Sequence, residues 1–136
     1  MTDLDAEPAR ALSAHERAIL ERLFEPRFPG REELRAQLDG LVVRPLDDEG
    51  CLKFEVRAGA PRARVRHPIP TEGEGRDDQG GVTHVELHVV DGLLRALTLW
   101  SEASPVARGL PAVEGMKVFA AYSEDAGVWN SDERFL

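Results

Sequence analysis

An Asp-Gly pair at positions 91–92 stands between two runs, "GVTHVELHVV" and "LLRALTLW", in which apolar side chains recur at alternate positions. Such a pair between alternating runs is the strongest short-range signal for a β-hairpin. A hairpin with one apolar face must bury that face, so the chain has to build a sheet with a covering layer. A two-residue turn would set Val85, Leu87 and Val89 on the face of Leu94, Ala96, Thr98 and Trp100. A three-residue loop with left-handed Gly92 and a bulge would set them with Leu93, Leu97 and Leu99. The second register gathers more apolar groups and is the one expected. It leaves His84, Glu86 and His88 on the opposite face with Leu94, Ala96, Thr98 and Trp100.

The covering layer is legible upstream. Ser13 and Glu16 in "SAHE" form a capping box, and Ile19, Leu20, Leu23 and Phe24 follow at helical spacing. Pro26 ends that helix, because the residue before a proline is pushed out of the helical region. "REELRAQLD" (31–39) predicts a second helix, with acids at its positive end and Gly40 as its stop. From residue 41 the period becomes two: "LVVRPL" (41–46), with Pro45 marking an edge or an end, and "CLKFEVR" (51–57) read as strands. "RVRHPIP" (64–70) is a weaker strand candidate, the Gly- and Asp-rich segment 71–81 reads as a loop, and "MKVFAAY" (116–122) as a last strand or an extended arm. The expected fold is α+β, an N-terminal helical hairpin packed on a mostly antiparallel β-meander sheet. Residues 1–12 are expected to be a disordered leader, 13–122 a single domain and 123–136 a C-terminal tail.

One domain of 136 residues can bury roughly two-thirds of the surface its unfolded chain exposes, so it needs no covalent staple. Its single cysteine, Cys51, allows no internal disulfide. The start "MTDLDAEPARA" is acidic and lacks the apolar stretch of a signal peptide, and no apolar run suits a bilayer; a cytoplasmic protein without a membrane partner is expected. With 25 acidic against 17 basic side chains the formal charge is −8, which repels phosphate backbones and argues against nucleic acid. Four arginines (57, 62, 64 and 66) precede the acids Glu72, Glu74, Asp77 and Asp78, and the two segments are expected to neutralise each other.

His84, Glu86 and His88 form the one constellation with ligand chemistry. Alternate positions on a strand lie about 7 Å apart on one face. Two imidazoles and a carboxylate are a common ligand set for Zn²⁺ or Fe²⁺. Three consecutive same-face residues of a straight strand rarely converge on one ion, however, so a metal site would need a further ligand, such as His67 or an acid of 71–81. The preferred reading is a partly exposed polar face on which the histidines pack against Trp100 and hydrogen-bond to neighbours. No nucleophile elbow, phosphate loop or calcium loop is present. Cys51 reads as a small packing residue.

The segments "LSAHERAILERLF", "FPGREELRAQL", "GCLKFEV", "PIPTEGEGRDDQG" and "HVVDGLLRALTLW", followed by "LP" at 110–111, resemble a family of small uncharacterised bacterial proteins. The resemblance covers about residues 12–111. It implies an α+β fold and carries no established activity, hence no catalytic residues and no cofactor.

These readings converge on a non-catalytic module that binds a protein partner, a basic one by charge, through its acidic surface or the open face of its sheet. Trp100 is the candidate contact residue. Immunity-type proteins, which are often small, acidic and poor in motifs, offer an analogy. The same face would also suit a homodimer. The alternative is a metal-dependent enzyme or metal-binding module holding Zn or Fe with His84, Glu86 and His88. A third reading is a small-ligand pocket between the helices and the sheet.

Overall fold

A computed structural model describes residues 8–102 and 109–122. The protein is α+β: two short helices, α1 (Ala14–Leu23) and α2 (Arg31–Ala36), accompany six strands. These are β1 (Val42–Pro45), β2 (Leu52–Glu55), β3 (Thr71–Arg76), β4 (Val82–Val90), β5 (Leu93–Ser101) and β6 (Lys117–Ala120). They form one sheet in the order β1-β2-β5-β4-β3-β6, antiparallel throughout. Only β3-β4-β5 run as a meander. The β1-β2 hairpin lies beyond β5, and β6 returns to the far side of β3.

The capping box forms at Ser13 and Glu16, and Phe24 closes α1 as its C-cap. The carbonyl of Leu23 accepts the Thr71 hydroxyl at 2.8 Å and that of Phe24 accepts Arg35 at 3.2 Å, so two of the helix's orphan carbonyls find donors. The regular part of α2 is shorter than the 31–39 expected. Residues 37–41 continue in three-residue turns, with Leu38 N–H donating to Arg35 and Leu41 N–H to Leu38.

Strand β3 occupies "TEGEGR", where a loop is expected, and 64–70 carries no strand. The reason is packing. Thr71, Gly73 and Gly75 point to the core, and the space a side chain would need is already taken. A Cβ on Gly73 would lie 3.2 Å from Leu23 and 3.3 Å from Met116; one on Gly75 would lie 2.8 Å from Pro111. The strand therefore alternates small-in and charged-out, and its inner face has no large apolar residue to announce it.

The β4-β5 connection combines features of both expected registers. Asp91 (φ 53°) and Gly92 (φ 77°) make a two-residue turn, with Val90 opposite Leu93. The bulge lies one step further in: Val89 pairs Leu94 but His88 pairs Ala96, leaving Arg95 as the extra residue. The bulge flips the remainder of β5, so Val85 and Leu87 share the core face with Leu97 and Leu99, and Leu94 replaces Leu93 there.

The core lies on the helix side, built from Ile19, Leu20, Leu23, Phe24 and Leu34 against Val43, Phe54, Leu87 and Leu97 among others. The free edge of β1 is closed three ways. Leu41 N–H donates to the Leu38 carbonyl, Val43 exchanges both main-chain hydrogen bonds with Arg10 (3.0 and 2.7 Å), and Pro45 has no N–H to offer. Residues 1–7 of the expected leader and the tail 123–136 lie outside the described residues; Arg10, by contrast, is docked on β1, and its guanidinium grips both oxygens of Glu16 at 2.7 Å. That pairing holds the Glu16 carboxyl below its ordinary range, against the opposing effect of burial.

Candidate functional site

The sheet face turned away from the helices carries the residues singled out by sequence. His84, Glu86 and His88 project from it in step along β4. Neighbouring strands add Glu74 beside His84 and Glu72 beside Glu86 on one side, and Trp100, Thr98 and Ala96 on the other. Phe119 and Lys117 extend the rows onto β6.

His84 is the centre of this arrangement. Its imidazole lies against the Trp100 indole, with centroids 3.8 Å apart and planes 11° from parallel. Its Nε2 meets Glu102 Oε1 at 2.8 Å, and its Nδ1 lies 3.8 Å from Glu74 Oε1. The ring is buried while its partners are not: the Trp100 residue is 46% exposed and the Glu102 side chain 53%. His88 turns elsewhere, its Nε2 meeting the Thr98 hydroxyl at 2.8 Å. The ring nitrogens of the two histidines therefore serve different partners. Among the described residues no group of three or more His, Cys, Asp or Glu side chains is placed to hold a metal ion.

Charge divides this face unevenly. Its β3-β4-β5-β6 half carries four carboxylates (Glu72, Glu74, Glu86 and Glu102) against Arg76 and Lys117, and exposed Arg95 stands at the β5 bulge beside it. Arg76 is itself engaged by the Gly80 carbonyl at 3.0 Å. On β1 and β2, Arg44 pairs with Glu55 at 3.3 Å and Lys53 stands exposed. Trp100 is 46% exposed on this face, whereas Glu72 and His84 are buried.

The turn at 47–50 has a counterpart at 77–80, and the two carry the same sequence signal. "DDEG" (47–50) and "DDQG" (77–80) fold alike: Asp47 Oδ1 accepts from the N–H of Glu49 and Cys51, and Asp77 Oδ1 from those of Gln79 and Gly81. Gly50 and Gly80 both take positive φ, at 107° and 81°. Partial burial raises the Asp47 carboxyl, but hydrogen bonds from Cys51 and from the Glu49, Cys51 and Gly50 N–H groups outweigh it and leave it below its ordinary value.

The remaining candidates have structural employment. Cys51 is buried, accepts the Leu99 N–H at 3.2 Å, and has its thiol pushed up to about 11 by burial, the opposite of an activated nucleophile. Arg57 donates to the carbonyls of Ala36 and Asp39, Arg62 to that of Asp91, and Arg66 lies 4.2 Å over the Tyr122 ring. Main-chain carbonyls and an aromatic face thus employ arginines expected to neutralise the acids of 71–78. An open groove of about 380 Å³ is lined by residues 27–33, on the connector between the helices and the first turn of α2, and not between helices and sheet. Among the described residues no helix is long and apolar enough to cross a membrane.

Comparison with known proteins adds little to this geometry. No protein-family model matches the chain, and no solved structure matches it. A stretch of 47 residues is 47% identical to part of the ribosomal protein uS12 methylthiotransferase RimO of Azorhizobium caulinodans, covering 33% of this chain and 10% of that protein.

Proposed function

We propose that this protein is a non-catalytic module that takes a basic protein partner on the acidic half of its open sheet face. The observation that carries the reading is Trp100, a large aromatic residue 46% exposed on the same sheet face as Glu74, Glu86 and Glu102. Exposed aromatic side chains at the centre of a charged patch are frequent anchors of protein interfaces. In this reading the two helices act as an antiparallel hairpin that covers the inner face, which leaves the outer face for association. The immunity-type analogy suits a small acidic protein that neutralises a basic one, and the family resemblance, which brings no activity with it, is consistent with binding alone. The short RimO match covers too little of either chain to bring that enzyme's chemistry here.

The test is affinity capture from a native extract with the parent protein and a Glu74→Lys/Glu86→Lys variant. One stoichiometric basic protein should be held by the parent, be released by about 0.5 M salt and be missing from the variant. If no stoichiometric partner is captured, or if parent and variant hold the same protein equally, the reading fails.

A further inference from the structure

We propose, independently of the reading above, that the segment from Arg62 to Arg66 is a docking site for an extended acidic peptide of a partner protein, whose carboxylates engage Arg62, Arg64 and Arg66 in step. Arg10, Arg17, Arg22, Arg31, Arg35 and Arg44 are each paired with a glutamate. Among the described residues no carboxylate pairs with Arg62, Arg64 or Arg66, although acidic side chains outnumber basic ones 25 to 17. What lies between these arginines sets their direction. Ala63 and Val65 face the connector between the helices, where a Cβ on Gly30 would lie 3.1 Å from each, and both pack on the core. The three arginines are exposed and so share the outward side at alternate positions, as on a strand. Ala63 N–H donates to the Gly92 carbonyl at 2.9 Å and anchors the segment on the β4-β5 turn. Arg62 is held by the Asp91 carbonyl at 2.7 Å, and Arg66 lies 4.2 Å over the Tyr122 ring. The first contact uses a single nitrogen and the second uses the guanidinium face, so N–H groups remain for an outside acceptor. Arg64, between them, makes no hydrogen bond, ion pair or ring contact with another described residue.

The fold keeps the acids that follow in sequence away from these arginines. Tyr122, under Arg66, lies just past β6, whose Ala120 stands opposite Thr71 at the start of β3; Asp77 and Asp78 follow the end of that strand. The length of β3 sets roughly 17 Å between the two groups, about twice the Debye length at physiological salt. The arginine segment therefore keeps its charge toward solvent. An extended peptide presents alternate side chains about 7 Å apart, and the alternation of 62–66 sets a like interval for the arginines. Each carboxylate can take two parallel N–H bonds from a guanidinium. Nucleic acid is a poorer match. Single strands are bound with bases stacked on aromatic rings, and the ring beside this segment, Tyr122, already has Arg66 over it. A duplex would carry its phosphates on past the segment, toward a protein with a formal charge of −8. Arg62 and Arg66 are already ordered by their own contacts, which lowers the cost of association.

The experiment follows the fluorescence anisotropy of two labelled peptides on titration with full-length protein at about 50 mM salt. Both have the same length and composition; one alternates glutamate with glycine and the other carries its glutamates in a single block. Saturable binding of the alternating peptide is expected, about 2- to 5-fold tighter than that of the blocked one, the effect of one better-aligned exposed ion pair. Arg64→Glu, which removes no contact made among the described residues, should weaken the alternating peptide about 5- to 20-fold. Arg17→Ser, at a glutamate-paired arginine of α1, should leave its affinity unchanged. Equal affinities for the two peptides, or an Arg64→Glu variant that binds as the parent does, would overturn the proposal. So would a single-stranded oligonucleotide of equal charge that binds more tightly than the alternating peptide and is lost with Arg64→Glu. Self-association in sedimentation that Arg64→Glu and Asp77→Lys/Asp78→Lys each abolish would assign the segment to the acidic turn of a second copy and also overturn it.

Discussion

Gln37 accepts the main-chain N–H of Leu94 at 2.9 Å, joining the end of the helical segment to the first turn of β5. Its amide nitrogen donates to the carbonyls of Pro61 (2.7 Å) and Gly92 (2.9 Å). One fully buried side chain thus ties three separate stretches together: the exit from α2, the loop ahead of β3 and the β4-β5 turn. Gln37→Leu keeps the volume and removes every one of these bonds. Because Leu94 is also buried, its N–H would be left without an acceptor, and a loss of about 2–4 kcal/mol is expected in urea unfolding.

Gly75 should be among the least replaceable residues of the sheet. A Cβ there would come within 2.8 Å of Pro111, a ring fixed in its own backbone, so the strand or the 109–113 segment must move. Gly75→Ala is expected to cost about 1–3 kcal/mol by overpacking. Gly73→Ala should cost less, because its nearest neighbours, the ends of Leu23 and Met116 at 3.2–3.3 Å, can rotate away. Thermal unfolding of the two variants side by side measures the difference; equal costs would show that the proline yields as easily as the methionine.

Those glycines also explain which parts of the fold were legible in sequence. The capping box, the first helix and the strands at 42–45 and 52–55 were readable because each follows from local chemistry or from an apolar period. Strand β3 was not, since its inward residues are Thr, Gly and Gly, chosen by what packs against them and not by hydrophobicity. The bulge at Arg95 was half legible: the preference for Leu97 and Leu99 in the core was sound, but nothing local says that the extra residue falls after the turn. The same limit applies at the site. The alternation of His84, Glu86 and His88 was visible. The neighbour Glu74 was hidden, because its place beside His84 depends on β3 being a strand.

Acid should weaken the fold partly through Glu16. Its carboxyl is held below the ordinary value by Arg10, so its folded pKa is lower than its unfolded one. Stability from this group is therefore fully present above the unfolded carboxylate pKa and is lost as pH falls through the folded value. Asp47, lowered in the same sense, adds to the trend. Urea midpoints measured from about pH 6 to about pH 3 should fall for the parent. Glu16→Gln should start lower at neutral pH and fall less steeply; parallel slopes would remove Glu16 from the explanation.

Cys51 should resist alkylation in the native state for two independent reasons. Its sulfur is buried, and a thiol pushed up to about 11 holds very little thiolate at neutral pH. Iodoacetamide is expected to modify it only after unfolding, so labelling in a urea series should follow the unfolding transition. Rapid labelling of folded protein would mean that the β2-β5 junction opens locally, because the sulfur accepts the Leu99 N–H there.

The ring pair on the outer face makes a prediction of the opposite kind, in which stability and association separate. Trp100 is large but 46% exposed, and it lies on the outer face of the sheet and not in the core. Removing it with Trp100→Ala gives up one stacked contact, worth about 0.5–1.5 kcal/mol, and part of the cover over His84. Conservation of the fold is therefore expected, with a urea midpoint far closer to the parent's than that of Gln37→Leu. His84→Ala should cost more than Trp100→Ala, since it deletes the buried ring and leaves Glu74 and Glu102 facing each other across the space it filled. If Trp100→Ala instead unfolds the protein as severely as a core deletion, the indole is a structural support of the sheet, and its exposure cannot be read as provision for a partner.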